Sequence, residues 1–83
     1  MPVVLRLKRV GAKGKPHYRI VAADKRRSRD GKNLETLGTY NPHSVAESQV
    51  KLDRERIGHW LGVGAQVSDT VKILLKKQGV ALR

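Results

Sequence analysis

The chain has 83 residues and a formal charge of +11, with 18 Lys and Arg against 7 Asp and Glu. A chain this short makes one domain and buries only about 60–65% of its unfolded surface, so its 39% apolar residues, with no Phe, must build one thin core from Val, Ile and Leu. No cysteine is present, which excludes disulfides and thiolate metal sites, and no apolar run approaches the roughly 20 residues of a membrane span.

Val3 to Val10 alternates, with Val3, Leu5 and Leu7 on one side and Arg6 and Lys8 on the other, the period of a half-buried strand. No leader peptide is expected in the first residues, because Arg6, Lys8 and Arg9 interrupt them before an apolar core forms. Gly11 to Pro16 breaks the strand with two glycines and a proline. His17 to Asp24 is a second strand, with Tyr18, Ile20 and Ala22 on one face and His17, Arg19 and Val21 on the other; the short link makes the two an antiparallel hairpin. Lys25 to Asn33 holds no apolar residue and reads as a loop, Leu34 to Tyr40 as a third strand, and Val50-Lys51-Leu52 as a short fourth one.

The period then changes. Asp53 caps a helix in which Ile57, Trp60 and Leu61 recur on one face, until Gly62 and Gly64 stop it. Ser68 caps a second helix with a stripe of Val71, Leu74 and Leu75, Lys76 and Lys77 at its negative end, and Gly79 in the left-handed position after it. If that stop is a Schellman motif, Val80 touches Leu75. The expected architecture for residues 1–83 is one α+β domain: a small mixed or antiparallel sheet of three to four strands, with two short C-terminal helices packed on one face.

Charge is concentrated in the hairpin half. Residues 1–32 carry eleven Lys and Arg against two acids, a net of +9, whereas the remainder nets +2. Such a charge repels itself unless a polyanion neutralises it, and its location reads as a binding face. The candidate RNA-binding residues are Arg6, Lys8, Arg9, Lys13, Lys15, His17, Arg19, Lys25, Arg26, Arg27, Arg29 and Lys32. Arg6 and Lys8 share a side of strand one, as His17 and Arg19 share a side of strand two, so an antiparallel pair forms one basic surface flanked by both loops. Segments 11–16 and 25–32 lack apolar anchors and are expected to be mobile without RNA. Tyr18 and Tyr40 have faces that suit base stacking, but their place in strands favours the core, as the apolar helix face does for Trp60.

Catalysis finds no support. His17, His43 and His59 lie on different elements, the serines sit in loops or at a cap, and no acid pair has the spacing of an acid/base or metal motif. Neither a cofactor, a metal nor a small-molecule substrate is expected, and no enzymatic activity. Gly11-Ala12-Lys13-Gly14 matches a single-strand-clamping GXXG loop only formally, since that loop joins helices and this one joins strands. The rival reading is a DNA-binding helix-turn-helix in residues 53–78; against it, the second helix begins Ser68-Asp69-Thr70, acidic where phosphates would lie. Membrane-surface binding fits less well, because the apolar stripe of each helix is needed to cover the sheet.

Val4-Leu5-Arg6-Leu7-Lys8-Arg9-Val10-Gly11, Pro16-His17-Tyr18-Arg19-Ile20-Val21, Ala23-Asp24, Arg29-Asp30-Gly31, Leu37-Gly38-Thr39-Tyr40-Asn41-Pro42 and Trp60-Leu61-Gly62-Val63-Gly64-Ala65-Gln66 together resemble the family of the sixteenth protein of the bacterial small ribosomal subunit. The resemblance runs in order from Val3 to Gly79. It implies a compact α+β domain bound to the 5′ domain of small-subunit rRNA, where it helps assemble and stabilise helix junctions, with neighbouring small-subunit proteins as further partners. It also implies a place in the ribosome, cytoplasmic or organellar. Arg6, Arg9, Arg19, Arg29 and the segment Pro16-His17-Tyr18 fall on the family's motif positions. Val67-Ser68 stands where the family often has Pro-Thr, which keeps the cap and is expected to loosen the turn.

Overall fold

A computed structural model describes residues 2–11, 14, 17–26, 33–42 and 49–80. Its elements are β1 (Val3–Val10), β2 (His17–Asp24), β3 (Glu35–Tyr40), β4 (Val50–Leu52), α1 (Arg54–Gly62), β5 (Gln66–Val67) and α2 (Asp69–Lys77). The sheet order is β4-β3-β2-β1-β5. All neighbours are antiparallel except β1 and β5, which run parallel.

The expected α+β class stands, but the sheet has five strands rather than three to four. The extra strand is two residues long, pairing Gln66 with Val4 and Val67 with Leu5, and the Ser68 amide donates to the Leu5 carbonyl at 3.0 Å. Two residues are too few to display a period, and their partner lies some sixty positions earlier, so no local pattern announces them. The segment expected to be a loosened turn is thus tied to the sheet.

The expected antiparallel hairpin forms, with a register from Val3 opposite Asp24 to Val10 opposite His17. Between β2 and β3 the register shifts: Ile20 faces Gly38, whereas Val21 faces Thr36. The extra residue is Leu37, buried in the core. This bulge keeps Thr36 and Thr39 on one face while Leu37 and Gly38 turn to the other. At Gly38 a Cβ would collide with the Lys51 carbonyl, so glycine is what lets β4 close on β3.

Both helices begin and end on the expected signals. The Asp53 carboxylate accepts from the Arg56 amide at 3.2 Å, and the Ser68 hydroxyl from the Val71 amide at 3.4 Å. Each stop is a Schellman motif on a left-handed glycine. After α1, Ala65 donates to Trp60 and Gly64 to Leu61; after α2, Val80 donates to Leu75 and Gly79 to Lys76. Val80 packs against the cluster that contains Leu75, as that motif requires.

Val3, Leu5, Ile20, Ala22 and Leu37 from the sheet meet Ile57, Leu61, Ala65, Val71 and Leu75 in one buried cluster. The apolar stripes of both helices are therefore spent on the sheet, and β5 lies between the helices where a DNA-reading motif would have a tight turn. Residues 53–78 are a packing layer, not a helix-turn-helix. Trp60 packs partly buried against this core, as expected.

A candidate nucleic-acid interface

Strand alternation and register together build a row of polar side chains across the face opposite the core. Lys8 faces Arg19, Arg19 faces Thr39, and Thr39 faces Lys51, one residue from each of β1, β2, β3 and β4. At about 4.8 Å between strands the row spans roughly 14 Å. Arg19 and Lys51 are exposed, and Lys8 is half-buried. Like charges directly opposite one another destabilise a sheet, so the Lys8–Arg19 pairing costs stability until an anion lies over it.

Arg6, half-buried and opposite Val21, stands next to the row on the same face. His17 is opposite Val10, and its ring lies against Gly11, where a Cβ would meet His17 Cε1 at 2.5 Å. A cleft of about 430 Å³ runs along the end of β1 between Arg6–Gly11 and Asn33. Val21 and Ala23 are fully buried on this side too, so the cationic surface is confined to the end of the sheet bearing the row.

Not every expected site residue joins it. Arg9 pairs with Tyr18 and so leaves the opposite face from Arg6 and Lys8. Arg26 forms a bidentate pair with Asp24, at 3.1 and 3.0 Å, and these hydrogen bonds hold its guanidinium more firmly charged while offsetting that charge locally. Lys25 Nζ donates to Gln66 Oε1 at 2.8 Å, linking the end of β2 to β5. Lys13, Lys15, Arg27, Arg29 and Lys32 lie outside the described residues, as does most of the two segments expected to be mobile. Neither ion pair found among the described residues, Arg26–Asp24 and Arg56–Glu35, draws on the row.

Lys51, Thr39 and Asn33 were not among the sequence-derived candidates. The signal for Lys51 was present: between Val50 and Leu52, alternation turns it away from the core. Tyr18 and Tyr40 also differ from expectation. They are half-buried and outside the core cluster, with their rings stacked at 5.9 Å and 22°.

Fold and site define the class: a small basic α+β protein that backs a cationic sheet face with two helices. The model of the family described as Ribosomal protein S16 matches residues 9–68, well over half of the chain, and the chain belongs to that family. Membership gives it a structural role in the small ribosomal subunit, in a class of proteins that is as a rule not enzymatic, and implies rRNA and ribosomal proteins as its partners. Among the described residues no helix is long and apolar enough to cross a membrane.

Proposed function

We propose that residues 1–83 act as one rRNA-binding domain that binds and stabilises the 5′ domain of small-subunit rRNA during ribosome assembly by neutralising phosphates. The observation that carries this reading is the Lys8–Arg19–Thr39–Lys51 row, where cations are held together without an acidic partner among the described residues. Family resemblance supports the choice of the 5′ domain. RNA strands that approach one another in a folded junction repel, and a rigid cationic face lowers that repulsion without reading bases. Arg6 and His17 share the face of the row, and Lys13, Lys15, Lys25, Arg27, Arg29 and Lys32 add to the positive charge of the same half of the sequence.

The test is competition between 5′-domain RNA, unrelated RNA and duplex DNA of equal mass, with the slope of affinity against salt measured for each. The 5′-domain RNA is expected to bind tightest. Replacing Lys8 and Arg19 together by Gln is expected to weaken binding and flatten the slope by about 0.7–0.9 log units for each phosphate that the variant leaves unneutralised. Equal affinity for all three nucleic acids would leave a generic polycation, and an unchanged slope in the double variant would remove the row from the interface.

A further inference from the structure

The sheet end that carries the cationic row also carries a second row, on the other face. Arg9 faces Tyr18, Tyr18 faces Tyr40, and Tyr40 faces Val50. It lies one residue along each strand from Lys8, Arg19, Thr39 and Lys51. All four members fall outside the buried cluster; Arg9 is exposed, and both tyrosines are half-buried. Their rings are nearly parallel, 22° apart with centroids at 5.9 Å. Stacked on each other, with Arg9 paired to Tyr18, the two rings form one aromatic column, and a flat, electron-rich ring laid on an outer face of it gains stacking and cation–π energy.

We propose that Tyr18 and Tyr40, with Arg9, form a stacking subsite for an unpaired RNA base, a second RNA contact on the face opposite the cationic row. This inference rests on the reading of the partner as RNA and deepens it. A base inside a continuous duplex has no free face to offer, whereas a base in a bulge or junction does. The two rows then divide the work by chemistry. The cationic row accepts any closely spaced phosphates, and the tyrosine pair accepts only RNA with an extruded nucleotide. RNA is held on both faces of the sheet end, which confers a preference for junctions without a sequence code, because every base has a stacking face.

The probe is 5′-domain small-subunit RNA transcribed with 4-thiouridine, irradiated in complex with the wild-type protein. Crosslinks assigned to single residues by fragmentation are expected on Tyr18 or Tyr40, from nucleotides that chemical probing finds unpaired. Crosslinks confined to the Lys8–Arg19 face, or from paired nucleotides alone, would overturn the subsite. In parallel, Tyr18→Leu with Tyr40→Leu is expected to weaken binding by roughly 5- to 100-fold at an unchanged salt slope, while Tyr18→Phe with Tyr40→Phe, which keeps both rings, binds within about twofold of wild type. Wild-type affinity in a folded Leu variant sinks the subsite and leaves the phosphate-binding reading standing. A wild-type protein with no preference for 5′-domain RNA sinks that reading instead.

Discussion

Arg19 and Ile20 are neighbours in β2, yet Ile20 is fully buried among Leu5, Ile57 and Leu75 while Arg19 stands exposed between Lys8 and Thr39. The same contrast holds on β1 between Leu7, packed against the core, and Lys8. One face of the sheet carries the main core; on the other, cations at the end bearing the row weaken the sheet until they meet an anion, while Val21 and Ala23 are buried farther along it. Because strand side chains alternate strictly, a slip of one residue would exchange the two faces, so register is what keeps stability and binding in separate sets of residues.

The largest expected effect breaks that contrast if it is wrong. Ile20→Ala removes a fully buried side chain and is expected to cost about 2–5 kcal/mol, a large share of the stability available to a chain this size. Arg19→Ala, one residue away, is expected to change stability by within about 0.5 kcal/mol while weakening RNA binding. Denaturant unfolding of both variants decides it. Similar losses of stability would mean that the cationic face is also structural.

A middle-sized effect sharpens the comparison at the point where the faces meet. Gly38→Ala forces a methyl against the Lys51 backbone, displacing β4 at an expected cost of about 1–3 kcal/mol. Since β4 carries Lys51 into the cationic row, the same change is expected to weaken RNA binding. Gly58→Ala, in an exposed turn of α1 with open space around the new methyl, serves as the contrast and is expected to stabilise by about 0.5–1 kcal/mol with binding unaltered. RNA binding unchanged in Gly38→Ala would show that Lys51 is not part of the interface.

What the sequence disclosed follows from how local each signal is. The hairpin was legible because alternation runs eight residues on each side of a glycine-rich break, and the helices because Asp53, Ser68 and Gly79 act within a turn of themselves. β5 was not, since its only mark is a pairing with residues far away in sequence. The bulge at Leu37 was hidden for a related reason: it exists only relative to β2. In the site, alternation puts Arg6, Lys8, His17 and Arg19 on one face, as the register does, whereas charge counting is blind to which face Arg9 leaves and to the pairing of Arg26 with Asp24, and sheet order was needed to bring Lys51 to the row. A tyrosine on the apolar face of a strand normally reaches the core, which is why the pattern points Tyr18 and Tyr40 there; these two lie beyond the end of the buried cluster.

The smallest effect concerns how the covered face is fastened. Glu35 lies on the core side of β3, opposite Ala22, and receives three hydrogen bonds from α1: Arg56 Nε at 2.7 Å, Arg56 Nη2 at 2.8 Å and Trp60 Nε1 at 2.9 Å. These donors, Arg56 foremost and then Trp60, lower the Glu35 pKa from 4.5 to about 2. A carboxyl more acidic in the folded than in the unfolded chain stabilises the fold fully where both are ionised, above about pH 4.5. As pH falls below that, the unfolded chain takes up the proton first, and the contribution shrinks until it is gone below about pH 2. Glu35→Gln is expected to unfold at lower denaturant concentration than wild type at neutral pH, with the gap constant down to about pH 4.5 and closing toward pH 2. RNA binding at neutral pH is expected to be unchanged, because the pair lies on the covered side and shares no residue with the cationic row. A gap that did not narrow with acid would reduce Glu35 to a neutral packing contact, and a loss of RNA affinity would show that the seating of α1 on β3 shapes the opposite face after all.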